Sequence, residues 1–345
     1  MKNIKRIVMH WILPLLGAGL GVSMVFYLYR GLDFNQLLIE LKGAKIHWVI
    51  ALAAAILLEQ LVQGWKWRQL LYDLKPVSSF RLMGAFLAGY GANIFVPLGV
   101  SPLVRSWLVA RLENLSMATV FVTTAISRFI DGIVFALLAG IVAFSGQVPS
   151  IEGNLQFGLS VAGAINLVLF SGILWMLFNA RSNFADDSAW ISRSIDWLAA
   201  KFHKRYASLR LNLKDGIVWP HDRHRQLNII AASFAMKAIS ATHFLWAGLA
   251  VGVLLAPMDY LFLMVFAGFG LVIARFIRVP GGFVIGSGFA LKLLGVADET
   301  AIAMILFNHL ISLILVVSLG LFVLWRSGLD IKSVTIRSSA TNTSE

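Results

Sequence analysis

Residues 84–131 read GAFLAGYGANIFVPLGVSPLVRSWLVARLENLSMATVFVTTAISRFID. An apolar segment with Gly84, Gly89 and Gly91 breaks at Asn93, Pro97, Gly99, Ser101 and Pro102. A second segment brings Arg105 and Arg111, and a third apolar run holds Arg128 and Asp131 in its interior. Broken helix and ionisable side chains are both costly in lipid and are tolerated mainly around an interior cavity or site. This stretch therefore predicts a re-entrant helix pair followed by a span with a functional interior.

The rest of the chain supplies the membrane context. Charged residues make up 13% and apolar residues 59% of the 345, against about 25% charged in ordinary soluble domains. Several runs approach or exceed the ~20 residues that cross a bilayer core. A polytopic all-α membrane protein is expected. The chain has no cysteine, which excludes disulfides and thiolate metal sites. A formal charge of +12 would suggest nucleic acid in a soluble protein. Here its placement in loops marks the cytoplasmic side, and no nucleic-acid partner is expected.

Upstream, Lys2, Lys5 and Arg6 precede an apolar run from Ile7 to Tyr29. That run is too long for a signal-peptide core and is read as a retained first span with its N-terminus inside. Phe34, Leu37, Leu38 and Leu41 recur at helical spacing, which suits a short interfacial helix. A second span, Ile46 to Gly64, ends at Trp65–Lys66–Trp67–Arg68, a pattern that fits the cytoplasmic headgroup layer.

Downstream, Ser116 to Phe144 is the next span, and residues 145–154 carry Glu152 without a cation, so that loop is expected outside. Phe157 to Phe178 returns to a basic stretch, 179–226, expected to be cytoplasmic. Within it, Trp190, Ile191, Ile195, Trp197, Leu198 and Phe202 alternate with Arg193, Lys201, Lys204 and Arg205. That pattern suits either an amphipathic helix on an anionic leaflet or a loop packed on its own protein. Leu227 to Ala256 crosses outward. Between the acidic flanks Asp259 and Asp298–Glu299 lies a second broken segment with Arg275, Arg278, Pro280, Gly281 and Gly282. Ala301 to Trp325 crosses inward, leaving the C-terminus inside and a polar tail, 338–345, expected to be disordered.

For the loop charges to agree, residues 82–112 must enter from and return to the cytoplasmic side, and the second broken segment must do so from outside. The plan is about six full spans plus two re-entrant hairpins within one membrane domain, 1–337. Each hairpin precedes a span with interior polar groups, Arg128 and Asp131 after the first, Asn308 and His309 after the second. This is the outline of an inverted repeat, with the site near the midplane.

Arg105, Arg128, Arg275 and Arg278 in or beside embedded segments call for a polar interior, since cost estimates near the bilayer centre start at about 2.5–3.5 kcal/mol. The planar guanidinium fork suits phosphate or carboxylate. Helix N-termini after Pro102 and after Pro280–Gly281–Gly282 would add partial positive charge. A phosphate-bearing ligand is one reading. In the other, Arg128 and Asp131 form an i, i+3 structural pair while Arg275 and Arg278 snorkel to an interface. Glu59 and Asp73 are candidates for proton coupling or for packing roles. His221 and His224 lack an acidic cluster, so no metal or other cofactor is expected.

Four features together resemble the transmembrane region of lysylphosphatidylglycerol synthases and the stand-alone proteins built from it. They are Trp65–Lys66–Trp67–Arg68, the interval Asn93…Pro97…Arg105, the pair Arg128 and Asp131, and Pro280–Gly281–Gly282. The resemblance implies a domain that moves phospholipids between leaflets. The family's soluble aminoacyl-transfer domain has no room within these residues, so no enzymatic synthesis is expected. Where the family pattern carries glutamates, this chain has Pro102, Ser127 and Ser287, and its expected glycine is Ser101. These departures make the inferred site more cationic and favour an anionic phospholipid or a polyprenyl phosphate.

The expected function is thus a flippase-like lipid carrier in the cytoplasmic (inner) membrane. Its candidate substrate-binding residues are Asn93, Pro97, Arg105, Arg128, Asp131, Arg275, Arg278, Pro280, Gly281, Gly282, Ser287 and Asn308. The alternative is a non-transporting partner of a lipid- or envelope-synthesis enzyme. Besides anionic lipid, a second copy of the chain and such an enzyme are the partners considered. The topology has a direct test in a chain without cysteine: Gln147→Cys should react with an impermeant maleimide added outside intact cells, and labelling only after permeabilisation would overturn the plan.

Overall fold

Length and apolar composition together decide which segments of this chain become long helices. The computed structural model describes residues 31–95, 101–146, 153–183, 215–277 and 281–327, with Ser23 and Phe26. The side chains of 93–95, 180–183 and 275–277 are not described. The expected first span, most of the basic cytoplasmic stretch and the C-terminal tail lie outside the described residues. Among those described, every regular element is a helix.

In chain order these are α1 (Phe34–Lys42), α2 (Ile46–Leu71), α3 (Ser79–Phe95), α4 (Ser101–Glu113) and α5 (Met117–Phe144). They continue with α6 (Gly153–Asn183), α7 (Arg223–Ala250), α8 (Pro257–Ile277), α9 (Gly282–Leu293) and α10 (Asp298–Arg326). Local chemistry sets several starts. Asp33 caps α1, its carboxylate accepting from the Asn35 N–H at 2.8 Å. The Ser78 hydroxyl accepts from the Arg81 N–H at the head of α3. Pro257 opens α8, where its missing N–H costs nothing, and Asp259 accepts from the Ala256 N–H at 3.0 Å.

Among the described residues, six helices are long and apolar enough to cross a membrane: α2, α5, α6, α7, α8 and α10. The protein is therefore an integral, multi-pass, all-α membrane protein. Five of the six correspond to expected spans, the expected first span lies outside the described residues, and the sixth, α8, is expected from the sequence only as one arm of a hairpin. Its 21 residues extend about 31 Å, enough for a bilayer core of about 30 Å, whereas the 12 of α9 reach only about 18 Å. The arms of the first pair, 17 residues in α3 and 13 in α4, reach about 26 and 20 Å.

The chain divides into two compact units. One contains residues 60–128, 176–232 and 313–345 and holds the whole α3–α4 pair; the other contains 1–59, 129–175 and 233–312 and holds the whole α8–α9 pair. In the α3–α4 unit both ends of the hairpin are tied to one acid. Glu113, the last residue of α4, accepts from Arg81 at 2.9 Å, and its backbone carbonyl accepts from Lys75 Nζ at 2.6 Å. Entry and exit of the pair thus lie together, as a hairpin that returns to its own side requires.

In the α8–α9 unit the hairpin closes through backbone contact instead. A Cβ on Gly286 would lie 2.7 Å from the Phe266 carbonyl oxygen, and one on Gly270 would collide with the Gly282 carbonyl. Gly281 caps α9 with φ 83°, a left-handed conformation that suits glycine. Around this pair stack Phe244, Phe283 and His309 from α7, α9 and α10. By contrast α6 buries only 6% of its apolar window against the rest of the protein.

These contacts separate two kinds of glycine. Gly286→Val should lower thermal stability by about 1–3 kcal/mol, the usual cost of overpacking. Gly172→Ala, in α6 with nothing near its would-be Cβ, should be neutral or gain about 0.4–1 kcal/mol. Thermal unfolding in detergent, followed by tryptophan fluorescence, reads both; equal stabilities would contradict the close approach.

Candidate functional site

Each hairpin supplies its own unit with buried polar groups, and the candidate residues fall into these two sets. In the α3–α4 unit, α4 begins at Ser101–Pro102, so proline sits in the first turn, where it does least harm. Arg105 follows one turn later and is 1% exposed. Its guanidinium lies 4.7 Å from the ring centroid of Phe86 on α3, a cation–π contact. Gly89 makes the approach possible, since a Cβ there would meet the Ser101 hydroxyl at 2.8 Å.

Behind Phe86 the polar groups continue inward. The Trp67 ring meets Phe86 edge-on at 5.0 Å, and its indole Nε1–H donates to Thr123 Oγ1 at 3.1 Å. Thr123 in turn donates to the Val120 carbonyl at 2.8 Å. At the next residue, Thr124, the hydroxyl lies 3.5 Å from that of Ser106. Lys66 and Trp67 are fully buried here. α2 runs on past them to Leu71. The helical period then turns Gln63, Trp67, Leu70 and Leu71 into the unit.

Arg128 differs from Arg105 in its surroundings. It lies near the middle of the 28-residue α5, is exposed, and donates through Nη2 to the Tyr90 hydroxyl of α3 at 3.1 Å. Ser127, beside it, is 3% exposed. Arg128 is thus an exposed guanidinium near the middle of an apolar helix, in contact with a tyrosine of the hairpin.

In the α8–α9 unit the candidates are Asp131, Gly281, Gly282, Ser287 and Asn308. Asp131, Ser287 and Asn308 are buried, at 7%, 0% and 5% exposure. The Ser287 hydroxyl has no hydrogen-bond partner. A second polar group in this unit was only half foreseen. Glu59 of α2 accepts from the Ser240 hydroxyl at 2.8 Å and faces His243 Nε2 at 3.6 Å. Glu59 had been noted by itself, whereas Ser240 and His243 gave no local signal.

Pro97, Arg278 and Pro280 lie outside the described residues, as do the side chains of Asn93 and Arg275. Among the described residues no group of three or more His, Asp or Glu is placed to hold a metal. His221 instead approaches Asp73 at 3.4 Å, next to Arg225, which stacks over Tyr72 at 3.4 Å and donates to Gln69 at 3.1 Å. These contacts fasten the start of α7 to the end of α2.

The buried indole bond offers a structural test. Thr123→Val keeps the shape of residue 123 but leaves the Trp67 N–H without its acceptor, which should cost about 1–3 kcal/mol. Thermal unfolding and near-UV circular dichroism would register it, and an unchanged melting curve would show that the Trp67–Thr123 bond carries no weight.

Comparison with known proteins adds one result. A family model described as the lysylphosphatidylglycerol synthase TM region matches residues 14–320. No curated protein and no solved structure gave a match.

Proposed function

The chain belongs to the lysylphosphatidylglycerol synthase TM-region family, and on that premise we propose that it is a lipid carrier for phosphate-bearing amphiphiles. The observation that carries the reading is Arg128. Midway along an apolar helix it is exposed, and the Tyr90 hydroxyl holds its guanidinium at 3.1 Å. Estimates for an arginine near the bilayer centre start at about 2.5–3.5 kcal/mol, so the group needs an environment other than acyl chains. A phosphate supplies it, accepting two parallel N–H bonds from the planar fork. Tyr90 fixes one edge of the fork and so reduces the ordering cost on binding.

Arg105 supports the same reading from the other arm of the hairpin, because its buried positive charge raises the potential within the unit. In this proposal the chain is a carrier and not a transferase, its ligand is an anionic lipid, and both termini face the cytoplasm. The departures at Ser127 and Ser287 favour headgroups that lack a compensating amine.

The test uses liposomes containing purified protein and headgroup-labelled phosphatidylglycerol or phosphatidylcholine, with movement between leaflets read by a membrane-impermeant quencher. Loss of a charge-assisted hydrogen bond costs about 1.5–3 kcal/mol, so Arg128→Gln should slow phosphatidylglycerol movement by roughly 10- to 100-fold. Tyr90→Phe, which removes a single neutral partner, should slow it only a few-fold. Phosphatidylcholine should be less affected. If Arg128→Gln moves phosphatidylglycerol at the wild-type rate, Arg128 does not bind the headgroup.

A further inference from the structure

Glu59 lies near the middle of α2 and His243 in the C-terminal half of α7, and ionisable groups inside apolar spans usually mark ion or proton pathways. Both side chains are largely buried, at 19% and 10% exposure. One carboxylate oxygen, Oε1, is satisfied by the Ser240 hydroxyl at 2.8 Å. The other, Oε2, faces His243 Nε2 at 3.6 Å. That separation is within ion-pair range but too long for a hydrogen bond, and Nε2 is buried without any hydrogen-bond partner. Ser240 and His243 are three residues apart on α7, so both reach Glu59 from one helical face.

A cluster built for packing alone would be expected to saturate its buried nitrogen. Here a basic nitrogen and a carboxylate oxygen face each other with a space that a proton would close. We infer that Glu59, Ser240 and His243 form a proton-binding site within the α8–α9 unit. Its coupling to lipid movement rests on the carrier reading above, but the site itself does not.

Consider the carboxylate beside neutral imidazole. One proton from water converts Glu59 to the acid, whose O–H donates to His243 Nε2 once the gap shortens by about 0.5–1 Å. Transfer of that proton from Oε2 to Nε2 gives a carboxylate beside an imidazolium, with the same net charge of zero. Release to water restores the anionic pair. No co-reactant is needed. The Ser240 hydroxyl stabilises the charged carboxylate and can turn away when the acid forms.

The other titratable groups on surrounding elements are few. On α7 itself Lys237 lies with its ammonium 5.7 Å from the Phe135 ring centroid. His309 of α10 stacks on Phe283, and Asp131 of α5 is buried. Among the described residues, His243 is the charged or chargeable partner within ion-pair distance of Glu59. Aromatic contacts flank the cluster on α7, where Phe244 stacks on Phe283 and Trp246 on Trp48. They hold the histidine's helix while leaving the carboxylate–imidazole gap as the adjustable element.

Two measurements test this, and they fail independently. The first is an infrared pH titration of the purified protein in detergent. Wild type should show a protonated-carboxyl band that varies with pH, is absent in Glu59→Gln and is displaced in His243→Gln and the milder Ser240→Ala. A spectrum of Glu59→Gln identical to wild type overturns the site, whatever the lipid assay gives.

The second applies a one-unit pH gradient across the proteoliposomes. With one proton moved per cycle, the gradient should bias phosphatidylglycerol distribution by up to about tenfold. Glu59→Gln and His243→Gln should keep ungated lipid movement yet lose the bias. A bias that survives in both variants overturns coupling through this cluster. Lipid movement absent even from wild type would overturn the carrier reading and leave the infrared result to decide the proton site.

Discussion

A guanidinium halfway along an apolar helix must find something other than hydrocarbon beside it, and much of the α3–α4 unit can be understood as the answer. Arg105 and Arg128 meet the demand in two ways. Arg105 is withdrawn against the Phe86 ring, with Trp67 and Thr123 behind it, so its charge is enclosed by polarisable and hydrogen-bonding groups. Arg128 stays exposed and takes a hydroxyl from Tyr90. Phe86 and Tyr90 stand one turn apart on α3, so a single arm of the hairpin serves both arginines. α4 packs against α3 and brings Arg105 against that arm. The tie from Lys75 and Arg81 to Glu113 holds the mouth of the pair closed.

The α8–α9 unit uses the same motif with different chemistry. Its hairpin is held by backbone approach at Gly270, Gly282 and Gly286, and its buried hairpin polar group is the neutral Ser287. The ionisable cluster comes instead from long helices, Glu59 on α2 and His243 on α7. Fixed positive charge therefore lies beside the first hairpin, and a titratable acid–base pair lies in the unit of the second. In the proposed carrier, one kind of group would hold the headgroup and the other would let the cycle respond to an energy source.

The all-α membrane class was legible from apolar runs and loop charge, and both hairpins from their proline and glycine breaks. Arg105 and Arg128 were legible because an arginine inside an apolar run is conspicuous. Their partners were not. Tyr90 is 38 residues from Arg128, Thr123 is 56 from Trp67, and Glu59 is 181 from Ser240. Tyrosine, threonine and serine in apolar helices raise no alarm by themselves, and only packing reveals which of them meet. Element lengths were less legible: α2 runs on to Leu71, and α8 is nearly twice as long as α9.

Burial also changes what the departures from the family pattern mean. Ser127 and Ser287 stand where acids were expected, and both are buried, the latter without a hydrogen-bond partner for its hydroxyl. A carboxylate at Ser287 would have to be desolvated in a close-packed hairpin whose neighbouring Gly286 already touches Phe266. Such a charge is expensive unless a cation or several donors meet it. Ser287 is thus suited to a tightly closed hairpin and unsuited to exchanging protons. Acid–base chemistry in this unit needs a carboxylate with room to change its hydrogen bonds. Glu59 meets that requirement, with Ser240 on one oxygen and the buried imidazole of His243 just beyond reach of the other.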